Sequence, residues 1–295
     1  MQDRLKELLA FNERSLTLIS RVVEDRESWV LERLRFNSEG TEFDGFLTRP
    51  MNRTCPLPAV LFAHAHGGCY EIGARELAEG RPAWRDAPGP ALAAAGLIAL
   101  AIDMPCFGSR ASVGESAASK AALWRGQPLF GQMLGEQAGA LTWLTAQPEV
   151  DPHRIGMLGL SMGATLGYFL AALDPRIAAL AQICCFADFA TLVETGAHDL
   201  HGNYLTVPGL LHETSTGQIA GLTAPRPQLI CIGEDDPLTP PLAVRRAQAE
   251  VAAAYRAMEA THALEVFVEA GIGHSESPEM RRRILDFFRQ SLCVL

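Results

Sequence analysis

The chain has 295 residues, of which 48% are hydrophobic and 20% are charged, as in an ordinary globular protein with one large domain or two small ones. The formal net charge is −9, so there is no basic excess to neutralise nucleic-acid phosphates or to attract anionic lipids. The composition therefore argues against nucleic acid and membranes as partners.

The N-terminal segment carries charges throughout residues 1–29 and lacks the uninterrupted apolar core of a signal peptide, which predicts a cytoplasmic protein. Leucine, isoleucine and valine recur at helical spacing between residues 5 and 23. Residues 1–35 are therefore predicted to form an amphipathic helical extension. Such a helix could cover the fold or contact a second subunit, and a homodimer is one expectation.

The rest of the chain shows first a strand pattern and then an alternation of strands and helices. Residues 29–50 alternate apolar and polar residues around a Ser-Glu-Gly turn, which predicts a β-hairpin. From Pro58 onward, short apolar runs alternate with longer helical segments. This alternation predicts an α/β fold with a mostly parallel central sheet flanked by helices. Without an internal repeat or linker, residues 1–295 are expected to form a single domain.

Residues 186–222 stand apart because their periodicity is weak and they contain several Gly, His and Thr residues. They come between two predicted strands, at the end of the sheet where ligands bind. We expect helix and loop overhanging the site, in the manner of a lid.

The strongest motif is Gly159-Leu160-Ser161-Met162-Gly163, directly after a predicted strand and directly before a predicted helix. A strand that turns sharply into a helix leaves the serine on a strained, exposed elbow, with helix amides facing the reacting centre. The alternative is a tight turn whose serine merely caps the helix. The context favours Ser161 as a nucleophile, which needs an adjacent base.

The base predicted from position is His274, which follows the last predicted strand in a glycine-rich loop. His262 precedes that strand and should lie at the opposite end of the sheet. His198 and His201 fall in the overhanging segment and are expected to contact substrate. Their H-x-x-H spacing invites a zinc interpretation, but helical zinc pairs prefer i, i+4 spacing and no carboxylate pattern supports one.

The acid that orients His274 should follow the preceding strand, where the sequence offers Glu234, Asp235 and Asp236. Asp236 is preferred because it begins the turn of a G-x-x-D-x-x-x-P pattern, with Asp235 as the alternative. Asp188 is a further candidate, since the acid could follow the strand before, although it also suits the cap of a local turn.

An oxyanion hole needs two backbone donors, and the sequence offers two candidates. One is the amide of Met162, directly after the nucleophile. The other is the amide of His66 in the loop HAHGG, where Gly67 and Gly68 let the backbone approach substrate closely. The alternative is a simple glycine turn with a structural His64.

The seven cysteines are Cys55, Cys69, Cys106, Cys184, Cys185, Cys231 and Cys293. They show no C-x-x-C pair and mostly lie in apolar runs, so we expect reduced structural thiols. Neither a dinucleotide fingerprint nor a metal cluster is present, and the sequence predicts no cofactor and no metal.

With these residues placed, residues 40–290 resemble the dienelactone-hydrolase-like and acetyl-xylan-esterase-like branch of the α/β-hydrolases. The likeness rests on HAHGG, AIDMPCFGSR, PEVDPHRIGMLGLSMGA, TAPRPQLICIGEDDPLTP and GIGHS. It implies the α/β-hydrolase fold and a structural role for Asp103. The chain departs from dienelactone hydrolases in having Ser161 where they use cysteine. Ala65 stands where related esterases often have glycine.

The sequence thus predicts a serine carboxylesterase that cleaves a small-molecule ester through an acyl-enzyme. The same Ser161, His274 and Asp236 could instead serve a peptidase, a thioesterase or a C–C bond hydrolase, because a fold does not fix the bond that is cleaved. A non-catalytic binding protein is the third option.

Overall fold

A nine-stranded sheet lies at the centre of the computed structural model, which describes residues 1–51 and 56–293. The strands are β1 (Thr17–Asp25), β2 (Trp29–Ser38), β3 (Thr41–Pro50), β4 (Leu57–Ala63), β5 (Ile98–Ile102), β6 (Val150–Leu160), β7 (Ile177–Ile183), β8 (Gln228–Gly233) and β9 (Leu264–Glu269). Across the sheet they follow the order β1-β2-β3-β5-β4-β6-β7-β8-β9. The pairs from β1 to β5 are antiparallel and those from β5 through β4 to β9 are parallel, which confirms the mostly parallel sheet.

Helices cover both faces of the sheet. In the described ranges they are α1 (Gln2–Leu9), α2 (Glu76–Glu79), α3 (Pro88–Ala94), α4 (Glu115–Trp124), α5 (Leu129–Thr145), α6 (Met162–Leu173), α7 (Phe189–Thr195), α8 (Leu210–Glu213), α9 (Thr216–Gly221), α10 (Pro241–Ala257) and α11 (Pro278–Phe288). None of these helices is long and apolar enough to cross a membrane.

The core has two layers because successive strand residues point to opposite faces. In β4, Leu61 packs in the layer that includes residues of α1, α5, α6, α9 and α10. Its neighbours Val60 and Phe62 pack in the other layer, with residues of α2, α3 and α11. All three side chains are fully buried. The apolar runs of the sequence are therefore strands buried on both faces, as predicted.

The prediction of a helical extension over residues 1–35 is wrong beyond its first turns. Only Gln2–Leu9 is helical, and the next part of the segment is strand β1, paired antiparallel with β2 at the edge of the sheet. Ile19, Val22 and Val23 are each about half exposed, so the apparent apolar stripe is not a buried helix face. Hydrogen bonds to β2 and the β-branched side chains together favour the strand.

The predicted hairpin is present as β2 and β3, joined by the two residues Glu39 and Gly40. Both have positive φ, 51° and 84°, as a tight two-residue hairpin turn requires. Residues 186–222 also fold as predicted, into α7, α8, α9 and two 3₁₀ turns between β7 and β8. The three helices are only 7, 4 and 6 residues long, which explains the weak periodicity.

Candidate active site

Ser161 lies on a sharp turn between the end of β6 and the start of α6. Its φ of 56° and ψ of −118° are values that residues other than glycine rarely adopt. A Cβ atom on Gly159 would lie 2.2 Å from the carbonyl carbon of Gly163, and one on Gly163 would lie 1.9 Å from the carbonyl oxygen of Ala63. The backbone segments are too close for side chains, which explains both glycines of the motif. Ser161 itself is only partly buried.

His274 and Asp236 form a hydrogen bond. Nδ1 of His274 lies 2.7 Å from Oδ2 of Asp236. The Asp236 side chain is completely buried, whereas that of His274 is 23% exposed. The other carboxylate oxygen accepts a hydrogen bond from the backbone N–H of Leu238 at 2.9 Å. The carboxylate is thus held at both oxygens, and it orients the imidazole so that Nε2 is the nitrogen that can take up a proton.

The other candidate acids form no hydrogen bond or ion pair with His274. Glu234 and Asp235 are exposed at the surface of the same loop. Asp188 caps helix α7, where its Oδ2 accepts hydrogen bonds from the backbone N–H and the hydroxyl of Thr191 at 2.9 and 2.7 Å. Of the carboxylates weighed from the sequence, the fold brings only Asp236 to the histidine.

The three predicted catalytic residues follow strands of one parallel set. Ser161 comes directly after β6, Asp236 after β8 and His274 after β9, and the strand order is β6-β7-β8-β9. Because parallel strands end at the same edge of a sheet, all three lie at its carboxyl edge. The backbone N–H of Ser161 is anchored there on the carbonyl oxygen of Ile183, at 2.8 Å.

The glycine-rich loop after β4, residues 64–68, ends at the same edge. Gly67 and Gly68 have φ of 52° and 67°, a region that glycine enters without steric cost. Within residues 1–51 and 56–293, the backbone N–H groups of His66 and Met162 donate to no protein acceptor. Met162 directly follows Ser161 and His66 lies in the loop at the same sheet edge, so these two unpaired donors are the candidates for binding a developing oxyanion.

A buried ion pair that the sequence analysis missed holds this loop. Glu76 is fully buried and accepts hydrogen bonds from the Ala65 N–H at 3.0 Å and from Nε1 of Trp84 at 2.6 Å. It also pairs with Arg81, whose Nη1 donates to the His66 carbonyl oxygen at 3.0 Å. Burial raises the pKa of Glu76, against the lowering effect of Arg81. The pair therefore fixes the loop on both sides of its turn.

Replacing Glu76 by glutamine is expected to lower the free energy of unfolding by about 3–5 kcal/mol, because the buried Arg81 would lose its counter-charge. Urea unfolding followed by circular dichroism measures the change. Glu279→Gln is the matched control, since it breaks the surface ion pair with Arg282 and should change stability far less. Equal effects of the two substitutions would contradict the structural role of Glu76.

His64 has a structural role in the loop. Its ring is fully buried, with Nδ1 3.0 Å from the carbonyl oxygen of Ala65 and Nε2 accepting the N–H of Met104 at 3.2 Å. These contacts suit the neutral tautomer with the proton on Nδ1. Burial lowers the pKa of His64 from its ordinary 6.5 to about 3.

The buried imidazole makes stability depend on pH. Above pH 6.5 His64 is mostly neutral in both the folded and the unfolded state. Below pH 6.5 His64 becomes protonated in the unfolded chain but stays neutral in the folded protein. Its contribution is therefore complete above pH 6.5 and is lost as the pH falls towards 3, with a slope of about 1.4 kcal/mol per pH unit. Unfolding free energies between pH 6 and 4 should fall more steeply in wild type than in His64→Gln. The exposed control His153→Gln should match wild type, and parallel curves for all three would contradict the assignment.

A second polar cluster connects the 64–68 loop to residues 186–222. Glu115, almost fully buried at the start of α4, accepts hydrogen bonds from Nε2 of His66 at 2.5 Å and from the Tyr70 hydroxyl at 2.8 Å. Its other oxygen accepts the backbone N–H of Tyr204 at 2.7 Å. Burial and the Glu115 carboxylate raise the pKa of Tyr70 to about 12. The His66 imidazole is thus occupied by Glu115, and only the backbone of His66 is available for an oxyanion.

The predicted substrate-binding residues occupy two places. Gly67 and Gly68 are exposed in the loop after β4, where a Cβ atom on Gly68 would meet no atom within 4 Å. His198 and His201 line a cavity of about 340 Å³ within residues 186–222. Nε2 of His201 lies 3.2 Å from the carbonyl oxygen of Leu238. Burial lowers the pKa of His201.

One group of side chains in the described part of the chain has the donor types of a metal site. The Cys184 sulfur, an Asp236 oxygen and a His274 nitrogen lie within 4.8 Å of one another. Burial raises the pKa of the Cys184 thiol well above its ordinary value, which opposes the thiolate that a metal requires. The Asp236–His274 hydrogen bond already uses two of the three ligands, so the arrangement suits an acid–base pair better than a metal.

Asp103 and the cysteines were also singled out from the sequence. Asp103 is buried and accepts hydrogen bonds from the Ala74 N–H and from the N–H and hydroxyl of Ser109, at 2.7 to 2.8 Å. The described cysteines are unbonded to one another, as expected of reduced thiols. Cys55 lies outside the described residues.

Comparison with known proteins identifies the family. Residues 39–229 match the family model described as X-Pro dipeptidyl-peptidase (S15 family). The chain belongs to this S15 family. The match spans more than half of the 295 residues and includes the Ser161 turn, while Asp236 and His274 lie beyond its end.

Relatives of this S15-family member support a hydrolase of the α/β-hydrolase superfamily. It is 35% identical over 276 residues to the Bacillus subtilis (strain 168) protein named "Putative hydrolase YtaP", covering 92% of this chain and 91% of that one. Its fold is shared with an acetyl xylan esterase from Paenibacillus sp. R4, with a TM-score of 0.65, 20% identity, and coverage of 99% and 93% of the two chains. A glucuronoyl esterase from Solibacter usitatus gives a TM-score of 0.70 at 12% identity, with coverage of 98% and 92%. At these identities the two structures show the fold alone.

Proposed function

We propose that this hydrolase is a serine carboxylesterase, with Ser161 as nucleophile, His274 as general base and Asp236 as the residue that orients His274. The observation that supports it most directly is the oriented Asp236–His274 pair at the sheet edge where Ser161 occupies a strained turn. Strain of this kind, in a residue other than glycine, is typical of a functional position. Two proteins with the same fold, the glucuronoyl esterase and the acetyl xylan esterase, are named as esterases, which agrees with this proposal.

In the acylation step, Ser161 Oγ attacks the ester carbonyl carbon while its proton passes to Nε2 of His274. The electron pair of the carbonyl double bond moves onto oxygen, where the N–H groups of Met162 and His66 would stabilise the charge. The bond to the alcohol oxygen then breaks, and His274 returns the proton to the leaving alkoxide. An acyl-enzyme and a free alcohol result.

In the deacylation step, water takes the place of the alcohol. His274 accepts a proton from water as the oxygen attacks the acyl carbon, and the same two amides would stabilise the second oxyanion. Collapse breaks the bond to Ser161 Oγ, which recovers its proton from His274. A carboxylic acid leaves. Asp236 keeps its negative charge throughout and stabilises the imidazolium formed in each step.

A peptidase is the second candidate, favoured by the description of the matching family model. The same residues would then release an amine instead of an alcohol, with His274 protonating the leaving nitrogen. The difference is one of substrate recognition, since the nucleophile, base and acid stay the same.

Hydrolysis of matched substrates by the wild-type protein tests the two candidates. We expect release of p-nitrophenol from short-chain p-nitrophenyl esters, and at most slow release of p-nitroaniline from an X-Pro p-nitroanilide. The reverse preference would favour the peptidase, and preference for a matched thioester would favour a thioesterase. A folded protein that cleaves none of them and resists a fluorophosphonate probe would contradict catalysis and favour a binding protein.

A further inference from the structure

A cavity next to the loops of the proposed active site bears on which substrate the protein prefers. It is a half-open pocket of about 340 Å³ between α7, α8 and the two 3₁₀ turns of residues 186–222. This volume lies at the small end of the range for ligand pockets. The apolar side chains that line it include Phe189, Leu192, Leu205, Val207, Leu210 and Leu211.

The wall of this cavity lies between the two loops of the proposed site. Gly202 belongs to the wall, and a Cβ atom there would lie 2.9 Å from Nε2 of His66 and 2.8 Å from Oε1 of Glu115. Its neighbour His201 hydrogen-bonds the carbonyl oxygen of Leu238, whose N–H holds Asp236. One side of the wall therefore touches the 64–68 loop, and the other touches the loop that carries the acid.

The chemistry of the lining favours an aliphatic ligand. The polar side chains of the lining all come from residues 198–206, and most of the remaining surface is leucine, valine or phenylalanine. These polar residues are His198, Asp199, His201, Asn203 and Thr206. A sugar would present hydroxyl groups to such a surface without partners, which is unfavourable. An acetyl group would fill only a small part of the volume. A flexible hydrocarbon chain matches both the size and the apolar character.

We propose that the cavity binds an aliphatic chain of the ester substrate, so that the preferred substrates are esters of medium-chain aliphatic acids or alcohols. The inference rests on the proposed esterase function. The chain would lie against Leu205 and Leu211, while the ester carbonyl reaches Ser161 past the wall formed by His201 and Gly202.

Two ester series distinguish the source of the chain. The first lengthens the acid, from p-nitrophenyl acetate to octanoate, and the second lengthens the alcohol, from methyl to octyl acetate. Rising kcat/KM with length in either series supports the cavity and assigns the chain to that side of the ester. Inhibition by n-alkylboronic acids should strengthen by up to about fourfold for each buried methylene. Flat profiles in both series and in the boronic acids would overturn the inference.

Variants connect the length dependence to this cavity. Leu211→Trp should lower kcat/KM at least tenfold for the longest ester of the series that shows the length dependence, and should lower it less for the shortest ester of that series. Leu242→Trp is the matched control, because both leucines are 44% exposed and Leu242 does not line the cavity. Leu205→Trp, which narrows the cavity from a less exposed position, is the second variant and should act in the same direction.

Direct binding separates failure of the cavity from failure of the esterase. Calorimetric titration with octanoate should show binding to wild type and to Leu242→Trp, with at least tenfold weaker binding to Leu211→Trp and Leu205→Trp. If no ester is cleaved but this pattern holds, the esterase proposal fails and the cavity stands. If esters are cleaved while octanoate fails to bind wild type, or binds all four proteins equally, the cavity inference fails alone.

Discussion

Replacing Ser161 by alanine is expected to lower kcat for p-nitrophenyl butyrate by about 10⁵- to 10⁶-fold. The substitution removes the oxygen that forms the acyl-enzyme. Residual hydrolysis would come from the two unpaired amides and from substrate binding. Initial rates over a range of enzyme concentrations measure the effect, and active-site titration corrects for contaminating esterases.

Two controls make the Ser161 result interpretable. Ser15→Ala changes an exposed serine in the N-terminal segment and should leave kcat unchanged. A fluorophosphonate probe should label Ser161 in wild type and in Ser15→Ala, and it should not label Ser161→Ala. Peptide mapping would locate the labelled residue. If Ser161→Ala keeps more than a few per cent of the activity, with a melting temperature equal to that of wild type, Ser161 is not the nucleophile.

Replacing Asp236 by asparagine is expected to lower kcat by about 10⁴-fold with little change in structure. The amide is close in size to the carboxylate, but it no longer accepts the Nδ1–H hydrogen bond with a negative charge. His274 would then be free to adopt the tautomer that carries its proton on Nε2, where it could not accept the serine proton. The change in His274 as a base is measured by comparing the pH dependence of kcat/KM in Asp236→Asn with that in wild type.

The adjacent Asp235 supplies the control for Asp236, since it is exposed and forms no hydrogen bond or ion pair with His274. Asp235→Asn should change kcat less than about twofold, because surface substitutions without buried contacts have small effects. A large loss of kcat in Asp235→Asn with a small one in Asp236→Asn would reverse the assignment of the acid. Asp188→Asn removes the cap of α7 and should act on stability instead of chemistry.

Two predictions from the sequence concern features that neither the fold nor the comparisons address. Cytoplasmic location and a homodimer remain predictions. The homodimer prediction rested on an N-terminal amphipathic helix, and most of that segment is strand β1 and not a helix. The exposed Ile19, Val22 and Val23 of that strand are residues to examine if a dimer is found.

The sequence alone determined the features that depend on neighbours along the chain. The Ser161 turn could be predicted because a strand, two glycines and a helix follow one another within a few residues, and the backbone contacts of Gly159 and Gly163 require that order. The hairpin turn at Glu39 and Gly40 has the same local origin. His274 could be chosen because strand order along the chain fixes which loops reach the carboxyl edge.

Tertiary structure decided whatever depended on partners distant in the sequence. Strand β1 has the spacing of a helix, and only pairing with β2 makes it a strand. Glu76 and Arg81 look like surface charges until Ala65, Trp84 and His66 are packed around them. Asp236 and Asp235 differ by one position, and burial against His274 separates their roles. The cavity that suggests an aliphatic substrate is likewise decided by packing, because its walls come from several short helices and turns whose relative positions no local pattern specifies.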